Sequence, residues 1–476
     1  MTRQPDILFL MPDQLRPDFL GCYGADFIAT PNIDGLAAHG VRHDACISPA
    51  PICVPARASL LTGLSAIGHG VMDNLHWPRP DRAAMGLRTW PEMLASAGYV
   101  TSAVGKMHFY PWDIAEGFSH RIIAEDKRHI HVRDHYDAAL RAAGLRKLHG
   151  RDQPGYAETK GASISELPDE YQVDRWVAGQ AADTIRDLPA DRPLAMMVGF
   201  PGPHCPYDPP AEALASVDAA RLPAPVPATE ESRSHRAGFI AAYKRPWADL
   251  DYTDLTADQI RAIRHHYAAL VQRLDADVGR IVDALRDAGR LDNTIVVFSS
   301  DHGDYLGDFG LVGKSFFHEP SVRVPLIVAD FRRPPEGRVE TAPVALHDLY
   351  PSFVQWAGLD VPAHAEGRPL GTPDADRIIV GATTQGFMAR SAGWKLVRYR
   401  NGAAALYDLA ADPDEQTNRI AQASPVLADL DAALTRAILQ GLDAAHADKV
   451  AIGTDWPPDH DFYRRGWARP YPAQQV

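Results

Sequence analysis

Short, continuous apolar runs alternate with longer amphipathic stretches along most of the chain. Residues 7–11, 193–200 and 294–300 are runs of strand length, a pattern typical of strands buried on both faces of a sheet. Residues 99–104 and 324–328 predict two more strands. From Ile260 to Leu285 an apolar residue recurs every three or four positions, which predicts a long amphipathic helix. This alternation of strands and helices indicates an α/β fold.

Capping patterns mark where several of the predicted helices begin. Thr89 with Glu92, and Thr256 with Gln259, have the spacing of a capping box, in which each side chain bonds to the other residue's backbone N–H. Thr30 followed by proline predicts a further helix with Thr30 as its N-cap.

The pattern changes after about residue 365. Short strand-like pieces separated by turn residues follow, and then a final helix is predicted, at residues 378–380, 394–399, 405–407 and 425–439. We therefore expect two units: a catalytic α/β domain at 1–365 and a smaller subdomain at 366–476 with an antiparallel sheet and a helix.

Composition narrows the class of protein. A chain of 476 residues, 46% of them hydrophobic, is long enough for a large core plus a smaller domain. The net charge of −13, without a basic stripe, argues against a nucleic-acid partner. Four cysteines are too few for a disulfide framework. The N-terminus has no signal-peptide pattern and no run approaches transmembrane length, so we expect a cytoplasmic protein without a membrane partner.

Titratable residues recur just after the predicted strands. The residues in these positions are Asp13, Lys106, His108, His204, Asp301 and His302. Each alone has an ordinary structural explanation, since an Asp after a strand often only forms a turn. Open α/β sheets, however, bind ligands at the carboxyl ends of their strands, so one crevice can collect all of these side chains.

Three of these residues suit a divalent cation. The carboxylates of Asp13 and Asp301 favour Ca²⁺, Mg²⁺ or Mn²⁺, and the imidazole of His302 moves the preference toward Mn²⁺ or another transition metal. Gln14 can add a neutral oxygen.

The segment from Cys53 to Gly63 is the most specific in the chain. It predicts a nucleophile at the start of a helix, where the helix terminus attracts an oxyanion and lowers the pKa of a thiol. Arg57 lies one turn on and can bind a tetrahedral anion. The alternative is a structural cysteine before a core helix. Only three residues separate Cys53 from Arg57, fewer than in a cysteine-phosphatase loop.

Several motifs together resemble the type I sulfatases of the alkaline phosphatase superfamily. They are Cys53-x-Pro55-x-Arg57 with Leu60-Leu61-Thr62-Gly63, Gly98-Tyr99-x-Thr101-x-x-x-Gly105-Lys106-x-His108, Pro12-Asp13-Gln14, Ser300-Asp301-His302-Gly303 and Lys314. The resemblance covers nearly the whole chain. It implies an alkaline-phosphatase-like fold, with a mostly parallel central sheet flanked by helices and a small C-terminal antiparallel sheet.

The resemblance also implies a mechanism. A separate maturation enzyme would oxidise Cys53 to formylglycine, whose hydrate has two hydroxyl groups. One hydroxyl, activated by a divalent metal (Ca²⁺, or alternatively Mn²⁺), would attack a sulfate ester and leave a covalent sulfo-enzyme. The other hydroxyl would then expel the sulfate.

The family's residue roles carry over by position. The metal ligands would be Asp13, Gln14, Asp301, His302 and the modified residue 53. Arg57 would orient the formylglycine, and His108 would be the base for its second hydroxyl. Lys106, His204, Lys314 and Asn74 would bind the anion, with His204 and Lys314 assisting the leaving group.

Two alternatives remain beside an arylsulfatase-like hydrolase. The first is a phosphonate monoester hydrolase or phosphodiesterase that uses the same site. The Asp13-Gln14 and Asp301-His302 pairs look more like those of choline sulfatases and phosphonate monoester hydrolases, whereas Lys106-x-His108 favours sulfate. Activity on both kinds of ester is therefore expected. The second alternative is a non-catalytic anion-binding relative, which would be expected to lose some of these residues.

Two expectations concern the surroundings of the site and the assembly. The segments 129–150 and 230–254 are expected near the pocket mouth. A homodimer or homotetramer is expected from the family.

Overall fold

A computed structural model describes residues 4–79, 81–126, 129–148, 150–189, 191–234, 250–252, 254–422, 424–444 and 449–451. Its strands are β1 (Asp6–Asp13), β2 (Val41–Ile47), β3 (His76–Pro78), β4 (Val100–Gly105), β5 (His120–Ile123), β6 (Leu194–Pro203), β7 (Thr294–Ser299), β8 (Arg323–Asp330), β9 (Arg338–Glu340), β10 (Val344–Ala345), β11 (Ile379–Thr383), β12 (Gly386–Arg390), β13 (Trp394–Tyr399), β14 (Ala404–Asp408) and β15 (Lys449–Ala451).

The α-helices lie between and after these strands. They are α1 (Pro31–His39), α2 (Cys53–Thr62), α3 (Ala66–His69), α4 (Trp90–Ser96), α5 (His135–Ala142), α6 (Val173–Asp187), α7 (Ala211–Ala215), α8 (Ala257–Asp287), α9 (Glu319–Val322), α10 (Leu349–Trp356) and α11 (Pro425–Ala444).

The central sheet has the strand order β10-β2-β8-β7-β1-β6-β4-β5, with β9 paired to β2. Strand β8 runs antiparallel to both of its neighbours, whereas the other pairs in the sheet are parallel. The predicted mostly parallel α/β sheet is therefore confirmed.

Apolar clusters cover both faces of this sheet. Alternate residues of β1 point to opposite sides, so Leu8 and Leu10 pack in the cluster that contains α6 and α8. Ile7 and Phe9 pack in the cluster that contains α2, α4 and α10. The first strand is thus buried on both faces, as its continuous apolar run predicts. Among the described residues, no helix is long and apolar enough to cross a membrane.

A separate antiparallel sheet, in the order β11-β12-β13-β14, follows the central one. Helix α11 packs against it through Leu430 and Leu434. This agrees with the expected small C-terminal sheet and helix, although β12 was not predicted from the sequence.

Helix boundaries follow the capping patterns, with one difference in detail. Both predicted capping boxes form, at the starts of α4 and α8. Thr30 occupies the N-cap position of α1, but its hydroxyl does not cap the helix. Its hydroxyl instead accepts from the backbone N–H of Gly21 at 2.8 Å and donates to Asp34 at 3.0 Å.

Candidate active site

The carboxyl ends of four neighbouring parallel strands bring most of the predicted residues to one edge of the sheet. Strand β1 ends at Asp13, Lys106 follows β4, His204 follows β6, and Asp301 comes two residues after β7. All four side chains are at least 95% buried, between 0% and 5% exposed. This is the edge at which open α/β sheets place their ligands.

A glycine allows Lys106 to reach this edge. Gly105 has φ +93°, and a Cβ there would collide with the carbonyl oxygen of Gly199 on β6. The same carbonyl accepts the backbone N–H of Lys106 at 2.7 Å. The close approach of the two strands therefore depends on the glycine in the Gly-Lys pair.

Helix α2 begins at Cys53, as its sequence predicts. Every residue of this helix is buried, and Gly63 ends it with φ 74°. At its start, the Val54 backbone N–H donates to Asn74 Oδ1 at 3.0 Å. Asn74 therefore lies beside the nucleophile position and satisfies one amide of the helix N-terminus. Its contact with an anion remains a prediction.

Four potential metal ligands converge on the start of α2. One ligand atom each from Asp13, Cys53, Asp301 and His302 lies within 4.8 Å of all the others. Cys53 Sγ is 3.2 Å from His302 Nε2 and 3.8 Å from Asp13 Oδ1. Acceptor-type atoms from the ends of two strands and the start of one helix thus point at one volume, as in a cation site.

The orientation of His302 also fits a metal site. Its Nδ1 lies 3.0 Å from the carbonyl oxygen of Gly303, which only accepts, so Nδ1 carries the proton and Nε2 faces the cluster with its lone pair. Burial alone would lower the pKa of His302, but Asp301 and Cys53 raise it above its ordinary value. A bound cation requires the neutral ring, and in the neutral ring with Nδ1 protonated the free lone pair is the one on Nε2, which faces the cluster.

Arg57 holds the two carboxylates in place from behind. Its Nη2 lies 3.1 Å from Asp13 Oδ2 and 3.0 Å from Asp301 Oδ2, and its Nη1 donates to the Lys106 carbonyl at 2.7 Å. All of these side chains have no exposed surface. Burial raises the pKa of Asp301, and the negative charge of Asp13 adds to that rise. A guanidinium bridging two buried carboxylates offsets the repulsion between them.

Gln14 is fixed beside the cluster by its backbone and its side chain. Its φ is 71°, in the left-handed region that a non-glycine residue rarely adopts. Its N–H donates to Asp301 Oδ1 at 3.0 Å, and its Oε1 accepts from Lys314 Nζ at 2.7 Å. The side-chain oxygen therefore lies on the same side as the predicted ligands.

Lys314 and His204 form a hydrogen-bonded pair beside Cys53. Lys314 Nζ lies 3.3 Å from Cys53 Sγ and 2.8 Å from His204 Nε2. His204 Nδ1 donates to the Cys205 carbonyl at 2.7 Å, so its Nε2 is the acceptor of the lysine proton. This pair presents a proton donor directly beside Cys53.

Lys106 and His108 also lie close to the cluster around Cys53. Lys106 Nζ is 2.9 Å from Asp13 Oδ2 and 3.1 Å from Asp126 Oδ2. The His108 backbone, at φ 55°, donates to the Glu125 carboxylate at 3.2 Å. The His108 side chain lies close enough to Cys53 to contribute to the low pKa of the thiol.

Aromatic rings surround His108. Its ring stacks on Trp112 with centroids 5.7 Å apart, and His129 approaches its edge at 6.3 Å. His129 thus lies beside the site, as expected. His135 instead accepts the Ile123 N–H, and residues 235–249 of the other expected segment lie outside the described residues.

Positively charged side chains around the site strongly favour the anionic forms of Cys53 and Asp13. Burial alone would raise the pKa of the Cys53 thiol, but Lys314 and His302 outweigh it and hold the pKa well below its usual value. Burial and Cys53 would likewise raise the pKa of Asp13, yet Lys106, His204 and Lys314 lower it. The centre is therefore built to hold negative charge on buried oxygen and sulfur atoms.

The sequence did not predict three buried carboxylates of the site. Asp126 contacts Lys106, Glu125 binds the backbone of His108, and Asp304 accepts from the Gln14 amide. Glu125 and Asp126 follow the end of β5, so the rule about strand ends would have found them had that short strand been predicted. Asp304 could have been found only as a neighbour of the Asp301-His302 pair.

Comparison with known proteins agrees with this geometry. The sulfatase family model matches residues 5–359. An arylsulfatase of Clostridium perfringens is 27% identical over 451 residues, covering 88% of this chain and 90% of that protein. A choline-sulfatase of Rhizobium meliloti is 29% identical over 441 residues, covering 88% and 82%.

Solved structures share the fold. The phosphonate monoester hydrolase of Agrobacterium radiobacter has a TM-score of 0.75 at 23% identity, covering 92% of this chain and 96% of that one. Because the family model spans most of the chain and includes every residue of the cluster around Cys53, the chain belongs to the sulfatase family.

Proposed function

We propose that the protein hydrolyses sulfate esters through a formylglycine made from Cys53, with a divalent metal bound by Asp13, Gln14, Asp301, His302 and residue 53. The observation that carries this proposal is the meeting of four metal-ligand atoms at the start of α2, beside the Lys314 ammonium. The names of the two relatives, an arylsulfatase and a choline-sulfatase, support the same class of reaction.

The chemistry divides between the modified residue and the metal. The hydrate that formylglycine forms with water would supply a hydroxyl nucleophile and a second hydroxyl on the same carbon. A bound Ca²⁺, or alternatively Mn²⁺, lowers the pKa of such a hydroxyl and withdraws charge from the ester oxygens. Arg57 fixes the positions of both carboxylate ligands relative to each other, since it contacts each of them.

The residues around Cys53 bind the anion and move protons. Lys314 Nζ, 3.3 Å from the sulfur and 2.8 Å from His204 Nε2, is placed to give a proton to the leaving oxygen. His204 Nε2 accepts another of the lysine protons and so holds the ammonium in this orientation. His108 is placed close enough to residue 53 to take a proton from it at a ring nitrogen. Asn74 and Lys106 add contacts for the anion.

A second candidate is hydrolysis of phosphonate monoesters or phosphodiesters at the same site. Gln14 and His302 occupy positions that resemble the phosphonate monoester hydrolases, and both substrate classes place a tetrahedral anion between the same cations. Lys106 and His108 favour sulfate, so we expect sulfate esters to react faster.

Three further features belong to this proposal. The catalytic unit is residues 1–365 and the C-terminal subdomain is residues 366–476. A formylglycine-generating enzyme acts on the chain before it folds, because Cys53 is 1% exposed in the folded protein. The protein forms a homodimer or homotetramer, as expected from the family.

The test is a substrate panel on protein coexpressed with a formylglycine-generating enzyme. We expect turnover of 4-nitrophenyl sulfate that is lost with a chelator and restored by Ca²⁺ or Mn²⁺, and slower turnover of a 4-nitrophenyl phosphonate ester. Faster phosphonate turnover would select the second candidate. Activity that survives the chelator unchanged would contradict the metal-dependent mechanism.

A further inference from the structure

We infer that Asp304 is a positioning residue that fixes which end of the Gln14 amide faces the metal site. Asp304 is fully buried, two residues after His302, and contacts none of the four converging ligand atoms in the described structure. The inference rests on the proposed metal site, but not on the identity of the substrate.

Every contact of the Asp304 carboxylate comes from a donor. Its Oδ2 accepts from Gln14 Nε2 and, at 2.6 Å, from the Tyr207 hydroxyl. Its Oδ1 accepts from the backbone N–H groups of Leu306 at 3.0 Å and Gly313 at 2.7 Å. Burial, followed by the charge of Asp304, raises the pKa of Tyr207 well above its usual value, so this phenol keeps its proton and donates.

The consequence for Gln14 follows from the chemistry of the amide. A carboxylate oxygen in this arrangement only accepts, so Gln14 must turn its NH₂ group toward Asp304. Its oxygen then points the opposite way, where it accepts from Lys314 Nζ at 2.7 Å beside Cys53. An oxygen can bind a hard cation, whereas an amide NH₂ cannot. Asp304 therefore determines whether Gln14 can act as a ligand.

The same carboxylate also positions Lys314. The Gly313 N–H that binds Asp304 Oδ1 belongs to the residue directly before Lys314. The Gln14 backbone is held independently, because the Tyr267 hydroxyl donates to its carbonyl at 2.7 Å and Asp301 accepts its N–H. A change at Asp304 should therefore reorient the Gln14 side chain without moving its backbone.

The test compares metal affinity in the Asp304→Asn and Tyr207→Phe variants. Asparagine can keep its oxygen on the two backbone donors, but its NH₂ group then faces Gln14 Nε2. Relief of that contact turns the Gln14 amide over and points its NH₂ group at the metal. We expect D304N to weaken Ca²⁺ or Mn²⁺ binding by about 10- to 100-fold, the usual effect of losing a residue that orients a ligand. Y207F should change it by less than about threefold, because Oδ2 still accepts from Gln14.

The measurement is isothermal titration calorimetry of chelator-treated protein with CaCl₂ or MnCl₂, without substrate, at one maturation state of residue 53. A Gln14→Ala background separates positioning from general damage. If Asp304 acts through Gln14, D304N weakens binding no further once Gln14 is absent. An equal loss in both backgrounds, or unchanged affinity in D304N, would overturn the inference.

A metal-bound crystal structure of the wild-type protein provides a check that does not depend on the variants folding. We expect Gln14 Oε1 on the metal and Nε2 on Asp304, and a Gln14 side chain turned away from the metal would contradict the inference. Failure of the proposed sulfatase reaction would be seen separately, as absent turnover with the metal-affinity pattern intact.

Discussion

Two buried clusters of charge in this protein look alike in composition but differ in how their charges are paired. The catalytic cluster contains Asp13, Cys53, Asp301 and His302 at the carboxyl edge of the central sheet. The docking cluster contains Glu319, Arg390, Lys395 and Glu415, where the C-terminal sheet meets the start of β8.

In the docking cluster, each carboxylate has a donor from the chain itself. Glu319 accepts from Arg390 Nε at 3.0 Å and Nη2 at 3.1 Å, and Lys395 Nζ is 3.1 Å away. Glu415 accepts the Glu319 N–H at 2.7 Å and pairs with Lys395. Burial alone would raise the pKa of Glu319, but Arg390 and Lys395 hold it below its usual value.

In the catalytic cluster, Arg57 and Lys106 also pair with carboxylate oxygens, but other acceptor atoms still face one another. Asp13 Oδ1 and His302 Nε2 are 3.8 Å apart, with the Cys53 sulfur against both. The comparison shows that burial and charge do not by themselves identify a site. What distinguishes a ligand site from a structural ion-pair cluster is convergence of acceptors that a cation would satisfy.

The largest effect is expected from Cys53→Ala. Loss of the nucleophile should lower kcat/KM by about 10⁴-fold or more, with little change in Tm. The matched control is Cys46→Ala, which removes another buried thiol on β2, outside the cluster, and should leave kcat/KM nearly unchanged. The measurement is kcat/KM for a sulfate ester, together with Tm, in both variants. More than a hundredth of the wild-type activity in C53A would remove Cys53 from the mechanism.

Lys395→Met should show the opposite pattern. It leaves Glu319 and Glu415 buried without their shared cation, so we expect the free energy of unfolding to fall by about 3–5 kcal/mol. Once corrected for the folded fraction, kcat/KM and metal affinity should stay within about twofold of wild type. Denaturant titration measures the free energy of unfolding, and kcat/KM is measured at a temperature below the thermal unfolding transition. A loss of metal affinity would mean that the two clusters are coupled.

Lys314→Ala should affect catalysis more than stability. Its ammonium contacts Cys53 and His204, where charge develops on the leaving oxygen, so kcat should fall by about 10²- to 10³-fold. A Brønsted series of aryl sulfates checks its role, because esters with good leaving groups need less proton donation. The same loss for every ester would instead assign Lys314 to anion binding alone.

The smallest effect is a pH dependence in the docking cluster. Burial raises the pKa of Glu415 from 4.5 to about 7, although Lys395 opposes the rise. The folded state therefore holds this proton more tightly than the unfolded state. The stabilisation is complete below pH 4.5 and is lost as the pH rises toward 7. Glu415→Gln should flatten this part of the Tm-against-pH curve, and an unchanged curve would contradict the assignment.

Much of the fold could be predicted because its strands and helices carry clear local signals. Strands β1, β6 and β7 are buried on both faces and read as unbroken apolar runs, and the capping boxes of α4 and α8 form as expected. Strands β2 and β5 were missed. Strand β2 carries Arg42, His43 and Asp44, and β5 has only four residues, His120–Ile123, at the sheet edge.

The site was predicted to the extent that its residues lie in motifs or at predicted strand ends. Asp13, Asp301 and His302 do so, and the structure brings them to Cys53. Asp126 was missed because the short strand β5 before it was not predicted. Asp304 pairs with Gln14 across 290 residues of sequence, and such a tertiary contact has no local pattern.

The most direct test of the mechanism is to measure activity against the modified fraction of residue 53. Coexpression with different amounts of a formylglycine-generating enzyme would give a series of samples. The mass of the tryptic peptide 43–57 reports conversion as a loss of about 18 Da. We expect kcat on 4-nitrophenyl sulfate, with Ca²⁺ or Mn²⁺ present, to rise in proportion to that fraction from a value near zero. Full activity in protein whose Cys53 is unmodified would contradict the formylglycine mechanism.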